Sequence, residues 1–316
     1  MSTKTWVIGR GGLLGTSVEA AFAGRGELFR PSEDVSWSAP DGGADQLCSF
    51  TEQFLARVGE GPWSVLWCAG AGTVSTSSRV LDLEREALRA MLEVLAECSH
   101  SDQGVLFFAS SAGGVYAGAD APPYDESSPL RPLTEYGRVK IDSEELVASW
   151  SERVGTPALI GRIANIYGPG QNINKSQGLI SQICRSHLLG TPLSIYVPLD
   201  TLRDYLYAPD CAELIVDGMA RLHHECTSSG PKVVTKILAS QRAITVGAVL
   251  GEIRRVFKNS THIVVAASAA PAAQTRDLSL RSLVWPELDR RSLTPFPVGI
   301  ARTSADLLRR LQGADL

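Results

Sequence analysis

Apolar residues along the chain gather in short strand-like runs at Trp6–Ile8, Glu27–Phe29, Val65–Cys68, Val105–Ala109 and Ala158–Ile163. Between several of them lie longer stretches of helical period, such as Ser77–Glu97 and Glu135–Arg153. Runs of this length predict strands, and the longer stretches predict amphipathic helices. In the second stretch Ile141, Leu146, Val147, Trp150 and Val154 line one side, with Thr134 placed to cap the start and Gly155 to end it. Strand alternating with helix is the pattern of a parallel sheet, so the fold class expected is α/β, a doubly wound parallel-sheet Rossmann domain.

After about residue 166 the texture changes to loops and shorter elements: YGPGQNINKSQG, a helical run from Leu179, then LSIYVPLDTLRDYLY. This predicts a smaller, interleaved C-terminal lobe. A helix at Pro209–His223 and an apolar strand at Lys232–Ala239 return to the first sheet. The division expected is therefore 1–166 with a returning segment of about 205–240 for the sheet domain, and 167–204 with 241–316 for the smaller lobe.

With 316 residues, 44% of them hydrophobic, the chain can bury a large core. Its 30 basic and 34 acidic residues include no basic run, which leaves no footprint for nucleic acid and no polybasic membrane patch. A small-molecule partner is the expectation. The start, MSTKTWVIGRGG, passes directly into a strand-like segment, and no apolar run approaches membrane-spanning length, so a cytoplasmic location is expected. The six cysteines show no C-x-x-C spacing and the five histidines form no ligand cluster, which argues against a metal and a disulfide framework. Adjacent His223 and His224 read as a solvated helix end, and Cys68 as a packed strand residue.

The stretch TWVIGRGGLLGTSVEAAF reads as a strand, a glycine turn and the start of a helix, with Gly9, Gly12 and Gly15 three apart. Each glycine has a use: a sharp turn, a close approach of backbone to a pyrophosphate, and close packing of helix on strand. The helix start adds oriented N–H groups for the anion. Arg10 lies inside this turn, and Arg30 ends the second strand where an acidic residue commonly selects NAD. Two guanidinium groups near a ribose 2′-phosphate favour NADP over NAD. Glu33 and Asp34 follow closely and either offset that preference or stand as solvated turn residues.

In TEYGRVK, Tyr136 and Lys140 are four apart and so share one helix face. A phenol is a poor base at neutral pH, but a neighbouring ammonium and a positively charged nicotinamide both favour its phenolate. The same spacing also occurs as a surface tyrosine beside a snorkelling lysine. Upstream, Ser110 and Ser111 stand at the carboxyl end of an apolar strand, the edge of a doubly wound sheet where ligands bind.

Together GRGGLLG, FFASSAGGVY, EYGRVK, GRIANIYGPGQ, the QGLI run, LRDYLYAPDCAELI and TPFPVGIART resemble, in order and over nearly the whole chain, the landmarks of the extended short-chain dehydrogenase/reductases, specifically their nucleotide-sugar epimerases and reductases. The resemblance implies catalytic roles for Ser111, Tyr136 and Lys140: hydrogen-bonding the sugar oxygen, transferring the proton, and holding the nicotinamide ribose. It implies cofactor contacts from Gly9, Arg10, Gly12, Leu13, Leu14, Gly15, Arg30, Cys68, Ala69 and Ile163. For the substrate it implies Asn165 and Arg203, the latter on the diphosphate, with Ser110 a lesser candidate beside Ser111. The alternative roles for these two are a capped turn for Asn165 and a surface ion pair with Asp204 for Arg203. A nucleotide sugar, NAD(P), and a homodimer through a pair of helices, one of them carrying Tyr136, complete the implication.

Dehydratase relatives carry an Asp-Glu pair after the catalytic hydroxyl, where this chain has Ala112 and Gly113. The chemistry implied is hydride transfer at a sugar carbinol, expected at C4. YGPGQNINKSQGLI and LRDYLYAPD resemble the UDP-hexose 4-epimerase branch, whereas the short link with DVSW soon after Arg30 is similar to the NADPH-dependent deoxysugar reductases. A non-catalytic dinucleotide sensor is the remaining reading. No clear nucleotide arginine precedes Asp277 in VVAASAAPAAQTRD, so base and sugar stay unassigned.

Overall fold

The computed structural model describes residues 2–70, 72, 76–98, 100–172, 178–226, 232–258, 263–265 and 275–313. The first half alternates β1 (Lys4–Ile8), α1 (Leu13–Phe22), β2 (Glu27–Phe29), α2 (Ala44–Val58), β3 (Trp63–Trp67), α3 (Ser78–Ala96), β4 (Gly104–Ser111), a single turn α4 (Ala112–Val115), α5 (Glu135–Val154) and β5 (Ala158–Ile163). After β6 (Asn165–Tyr167) come α6 (Leu179–Leu189), β7 (Leu193–Ile195), β8 (Leu202–Arg203), β9 (Tyr205–Tyr207), α7 (Ala208–Cys226) and β10 (Val233–Leu238). The chain then forms β11 (Ile244–Thr245), α8 (Val246–Phe257), β12 (Ile263–Val265), β13 (Asp277–Leu278) and α9 (Phe296–Gly313).

The main sheet has six strands in the order β10-β5-β4-β3-β1-β2, and every pairing is parallel. A parallel sheet is covered on both faces, which is why all five residues of β3 are buried. On one face Leu14 and Val18 of α1 and Leu214 and Ile215 of α7 pack with Val7, Leu66 and Phe107. On the other, Phe50 and Phe54 of α2, Leu88 and Met91 of α3, and Val147 and Trp150 of α5 pack with Trp6, Val65 and Phe108. The Trp150 indole N–H donates to the Leu92 carbonyl at 2.7 Å, which pins α5 to α3.

Strand order reverses between β1 and β3, because β2 lies on one side of β1 and all later strands lie on the other. Carboxyl ends of strands splay apart at such a point and leave a crevice for ligand. Cys68 lies just past the last residue of β3, in the loop bordering this crevice rather than within the strand. The limits of α5 follow its sequence signals: the Thr134 side chain accepts from the Gly137 N–H, and Gly155 ends the helix in the left-handed region at φ 86°.

A third apolar cluster joins Ile180 and Ile183 of α6, Val249 and Ile253 of α8, and Ile300 and Leu307 of α9. Around it β8 pairs with β11 and β13, and β7 with β12. β6 pairs in parallel with β9, setting Asn165 opposite Tyr205. Residues 173–177 of the YGPGQNINKSQG loop, and 266–274 ahead of Asp277, lie outside the described residues. No described helix is long and apolar enough to cross a membrane.

Candidate active site

Gly9, at the end of β1, has φ 86°, and a Cβ there would lie 2.6 Å from the Ala69 Cα and N and 2.8 Å from the Cys68 carbonyl carbon. Only glycine both adopts this conformation and lets the β1 turn close against the chain leaving β3. At Gly15 a Cβ would lie 2.1 Å from the Gly9 carbonyl oxygen, so α1 meets the turn backbone to backbone. Gly12 precedes α1 with no side-chain cap, and the first-turn N–H groups beyond it, at Leu13 and Leu14, are left for an external acceptor. A cradle that a Cβ would fill, beneath an uncapped helix start, fits the pyrophosphate of a dinucleotide.

The two arginines expected beside the ribose both have carboxylate partners. Arg10 donates to Asp34 through Nε at 3.0 Å and NH2 at 2.8 Å, and Arg30 Nε donates to Glu19 at 2.8 Å. Both pairs are solvent-facing and so are held weakly. A 2′-phosphate would have to compete with each of them.

β4 and α5 bring the three chemical residues together. The Ser111 side chain accepts from the Gly114 N–H at 3.1 Å, capping α4 and leaving its hydroxyl proton free to be donated. A Cβ on Gly114 would lie 3.1 Å from Cε1 of Tyr136 and 3.4 Å from Cβ of Ser111, so this glycine makes the gap in which the phenol stands beside the serine. Lys140 Nζ lies 5.9 Å from the centre of the Tyr136 ring and 5.2 Å from that of Phe108. The lysine is buried, with its Nζ 3.1 Å from Oε1 of Glu84 and 3.5 Å from the Ala109 carbonyl. Burial opposes its charge, yet the Glu84 carboxylate and Tyr136 hold its pKa above the ordinary lysine range. Ile163, at the end of β5, is paired with Ser111 and forms part of the floor.

Ser110 turns the other way. Its hydroxyl is buried and donates to Oε1 of Glu144 at 2.5 Å, so it is committed to the core and not to a sugar. Glu144 also accepts from Arg162 Nε at 3.1 Å and NH2 at 2.7 Å, while Arg162 NH1 donates to the Tyr116 hydroxyl at 2.7 Å. Burial pushes the Tyr116 pKa up to about 12, although Arg162 opposes it. This network lies directly under the strand end that carries Ser111.

Asn165 is exposed and donates Nδ2 to the Asp204 carbonyl at 3.2 Å. Arg203 makes no ion pair with Asp204, contrary to the alternative raised by their adjacency. The Asp204 carboxylate is buried and accepts instead from the N–H groups of Ser240 at 2.8 Å and Arg242 at 3.0 Å. Arg203 NH1 donates to the neighbouring Leu202 carbonyl at 2.7 Å, and it has no salt-bridge partner among the described residues. Burial pulls its pKa below the ordinary arginine range, against the pull of Tyr205 and Asp277. A guanidinium held this way has strong reason to take an anion. Near Asp277 opens a cavity of about 480 Å³, lined also by Pro122, Gln241 and Arg281.

Glu84 did not stand out by motif, although a signal was present. It falls on the apolar stripe of α3, in register with buried Leu81, Leu88 and Leu95, where a carboxylate needs a partner. Glu144 occupies the equivalent situation on α5, between buried Lys140 and Val147. Among the described residues no group of three or more His, Cys, Asp or Glu could hold a metal ion, and none of the six cysteines is bridged.

Residues 6–227 match the model of the NAD dependent epimerase/dehydratase family. An uncharacterized UDP-glucose epimerase, YtcB, of Bacillus subtilis (strain 168) is 30% identical over 138 residues, 44% of this chain and 41% of that protein. A dTDP-4-dehydro-6-deoxyglucose reductase of Escherichia coli is 30% identical over 120 residues, 38% of each chain. The chain thus spans about two fifths of the length of the curated relatives it matches. The solved structure of MoeE5 in complex with UDP-glucose and NAD superimposes with a TM-score of 0.76 at 19% identity, over 98% of this chain and 99% of that one.

Proposed function

The chain belongs to the NAD dependent epimerase/dehydratase family, whose matched members act on nucleotide sugars, and from that premise we propose that it is a nucleotide-sugar 4-epimerase using NAD(P). The observation that carries this reading is the meeting of Ser111 and Tyr136 at Gly114 with Lys140 Nζ 5.9 Å from the Tyr136 ring, and Ala112 and Gly113 where elimination would call for a second acid and base. The Gly9–Gly15 turn and the start of α1 would hold the pyrophosphate, and Lys140 the nicotinamide ribose. The bound dinucleotide supplies a hydride acceptor and donor. Ser111 would donate a hydrogen bond to the sugar oxygen at C4 while Tyr136 takes the proton from that hydroxyl. Half-buried Arg203 would bind the diphosphate, and turning of the keto sugar, so that hydride returned to the opposite face of C4 while Tyr136 gave its proton back to the C4 oxygen, would invert the centre.

A second reading is an NADPH-dependent 4-keto-sugar reductase. The observation favouring it is the short span from Arg30 to the start of α2, together with the guanidinium groups of Arg10 and Arg30 beside the β1 turn and β2, where the ribose would be expected. The Asp34 and Glu19 pairs work against the NADP preference in either reading, and we carry NADP as the lesser alternative. A homodimer through the outer faces of α3 and α5 belongs to the same proposal. Those faces present Asp82, Glu86, Arg138 and Asp142, so the seam would be one of paired charges.

The test is incubation of the purified protein with UDP-glucose, UDP-GlcNAc and dTDP-4-keto-6-deoxyglucose. Interconversion without added cofactor is expected for the epimerase, and NADPH consumption for the reductase. Bound dinucleotide without turnover would sink both. Tyr136→Phe should lower turnover by about 10²- to 10⁴-fold, and retained turnover would show that Tyr136 is not the base.

A further inference from the structure

We propose that Glu84 is a positioning residue of this site: reaching from α3, its carboxylate fixes the Lys140 ammonium where it serves Tyr136 and the dinucleotide ribose. This rests on the hydride-transfer reading above. An ammonium has three N–H directions. Glu84 Oε1 takes one at 3.1 Å and the Ala109 carbonyl lies along another at 3.5 Å, which leaves the third for the ribose side. The Lys140 side chain is buried and that of Glu84 nearly so, at 6% and 13% exposure, which limits the water that could replace the carboxylate. The chain leaving β3 passes over them at Gly70, where a Cβ would lie 3.5 Å from Glu84 Oε1 and 3.6 Å from Lys140 Nζ. The pair therefore sits directly beneath the crevice at the sheet's switch point.

The groups facing Lys140 are few enough to assign. From its own helix come Tyr136 and Glu144, from α3 Glu84, and from β4 the Phe108 ring and the Ala109 carbonyl. Glu144 is already committed to Arg162 and Ser110. Glu84 is thus the carboxylate in direct contact with the ammonium. With Glu84 in place the lysine stays charged past the ordinary lysine range; without it, burial is opposed only by Tyr136 and Glu144 and the charge is lost at lower pH.

The experiment compares Glu84→Gln and Glu84→Asp with the unsubstituted protein from about pH 6 to about pH 11, a span that passes the ordinary lysine value. NAD⁺ affinity is measured by calorimetry, and kcat and KM are measured with whichever nucleotide sugar is turned over. For Glu84→Gln, NAD⁺ affinity is expected to fall about tenfold, and the alkaline limb of kcat to move down by about one pH unit. KM for the sugar is expected to stay within about threefold, and Glu84→Asp to recover part of both losses. Unchanged NAD⁺ affinity together with an unmoved alkaline limb overturns the proposal. If the unsubstituted protein turns over no nucleotide sugar, the hydride-transfer reading falls, and NAD⁺ affinity alone decides on Glu84: the loss supports its role and no change overturns it.

Discussion

Alanine at Gly15 would put a methyl carbon where α1 and the β1 turn leave no room. Built on the backbone, that carbon lies 2.1 Å from the Gly9 oxygen, 2.6 Å from the Gly9 carbonyl carbon and 2.8 Å from the Arg10 Cα. All three are backbone atoms, so no rotamer change relieves the clash. Ordinary contact begins at 3.4 Å, so the start of α1 must back away by about 1.3 Å, the difference between the two. The cost to stability is limited, because about 1–3 kcal/mol of overpacking is partly offset by about 1 kcal/mol of helix propensity gained over glycine. With an unfolding entropy of about 0.7 kcal/mol/K for a chain of this length, Tm should fall by no more than about 3 °C. Dinucleotide binding should suffer far more. The first-turn N–H groups move with the helix, and misplacement on the 1 Å scale costs about 10²-fold in a positioned interaction. Calorimetric titration with NAD⁺ alongside thermal melts separates the two effects. Gly251→Ala, in α8 and away from the glycine turn, is the control, since a Cβ there meets nothing within 4 Å. The reasoning is refuted if Gly15→Ala binds NAD⁺ within about threefold of the unsubstituted protein, or if Gly251→Ala loses as much.

Glu144→Gln leaves the buried Arg162 guanidinium without its countercharge, a loss of about 3–5 kcal/mol, which corresponds to a Tm decrease of roughly 4–8 °C in a melt. A Tm shift under about 1 °C would mean that the network carries no such energy. Arg203→Met removes a guanidinium that has no salt-bridge partner among the described residues, so Tm should hold or rise while UDP affinity falls about tenfold or more. Undiminished UDP affinity by calorimetry would remove Arg203 from the substrate site.

Local spacing carried much of this protein. The short apolar runs became the strands of the parallel sheet, because a strand buried on both faces needs continuous apolar residues. Thr134 and Gly155 marked the ends of α5, since caps act within one helical turn. The three-residue glycine spacing anticipated the cradle, because the contacts of Gly9 with Gly15 lie within one turn of chain. Tyr136 and Lys140 were legible for the same reason, being one helical turn apart.

Contacts between distant parts of the chain were decided only by the tertiary structure. Glu84 and Lys140 are 56 residues apart and meet because α3 and α5 pack side by side. Neighbouring Ser110 and Ser111 look equivalent in sequence, yet successive strand residues face opposite sides, so one joins Glu144 and the other stands beside Tyr136. Asp34 was already a candidate to offset Arg10 and Arg30, but that it pairs with Arg10, and that Glu19 pairs with Arg30, was decided by the fold. Periodicity and caps are short-range and can be read along the chain. The partner of a buried charge depends on how helices and strands set their register against one another, which local spacing does not encode.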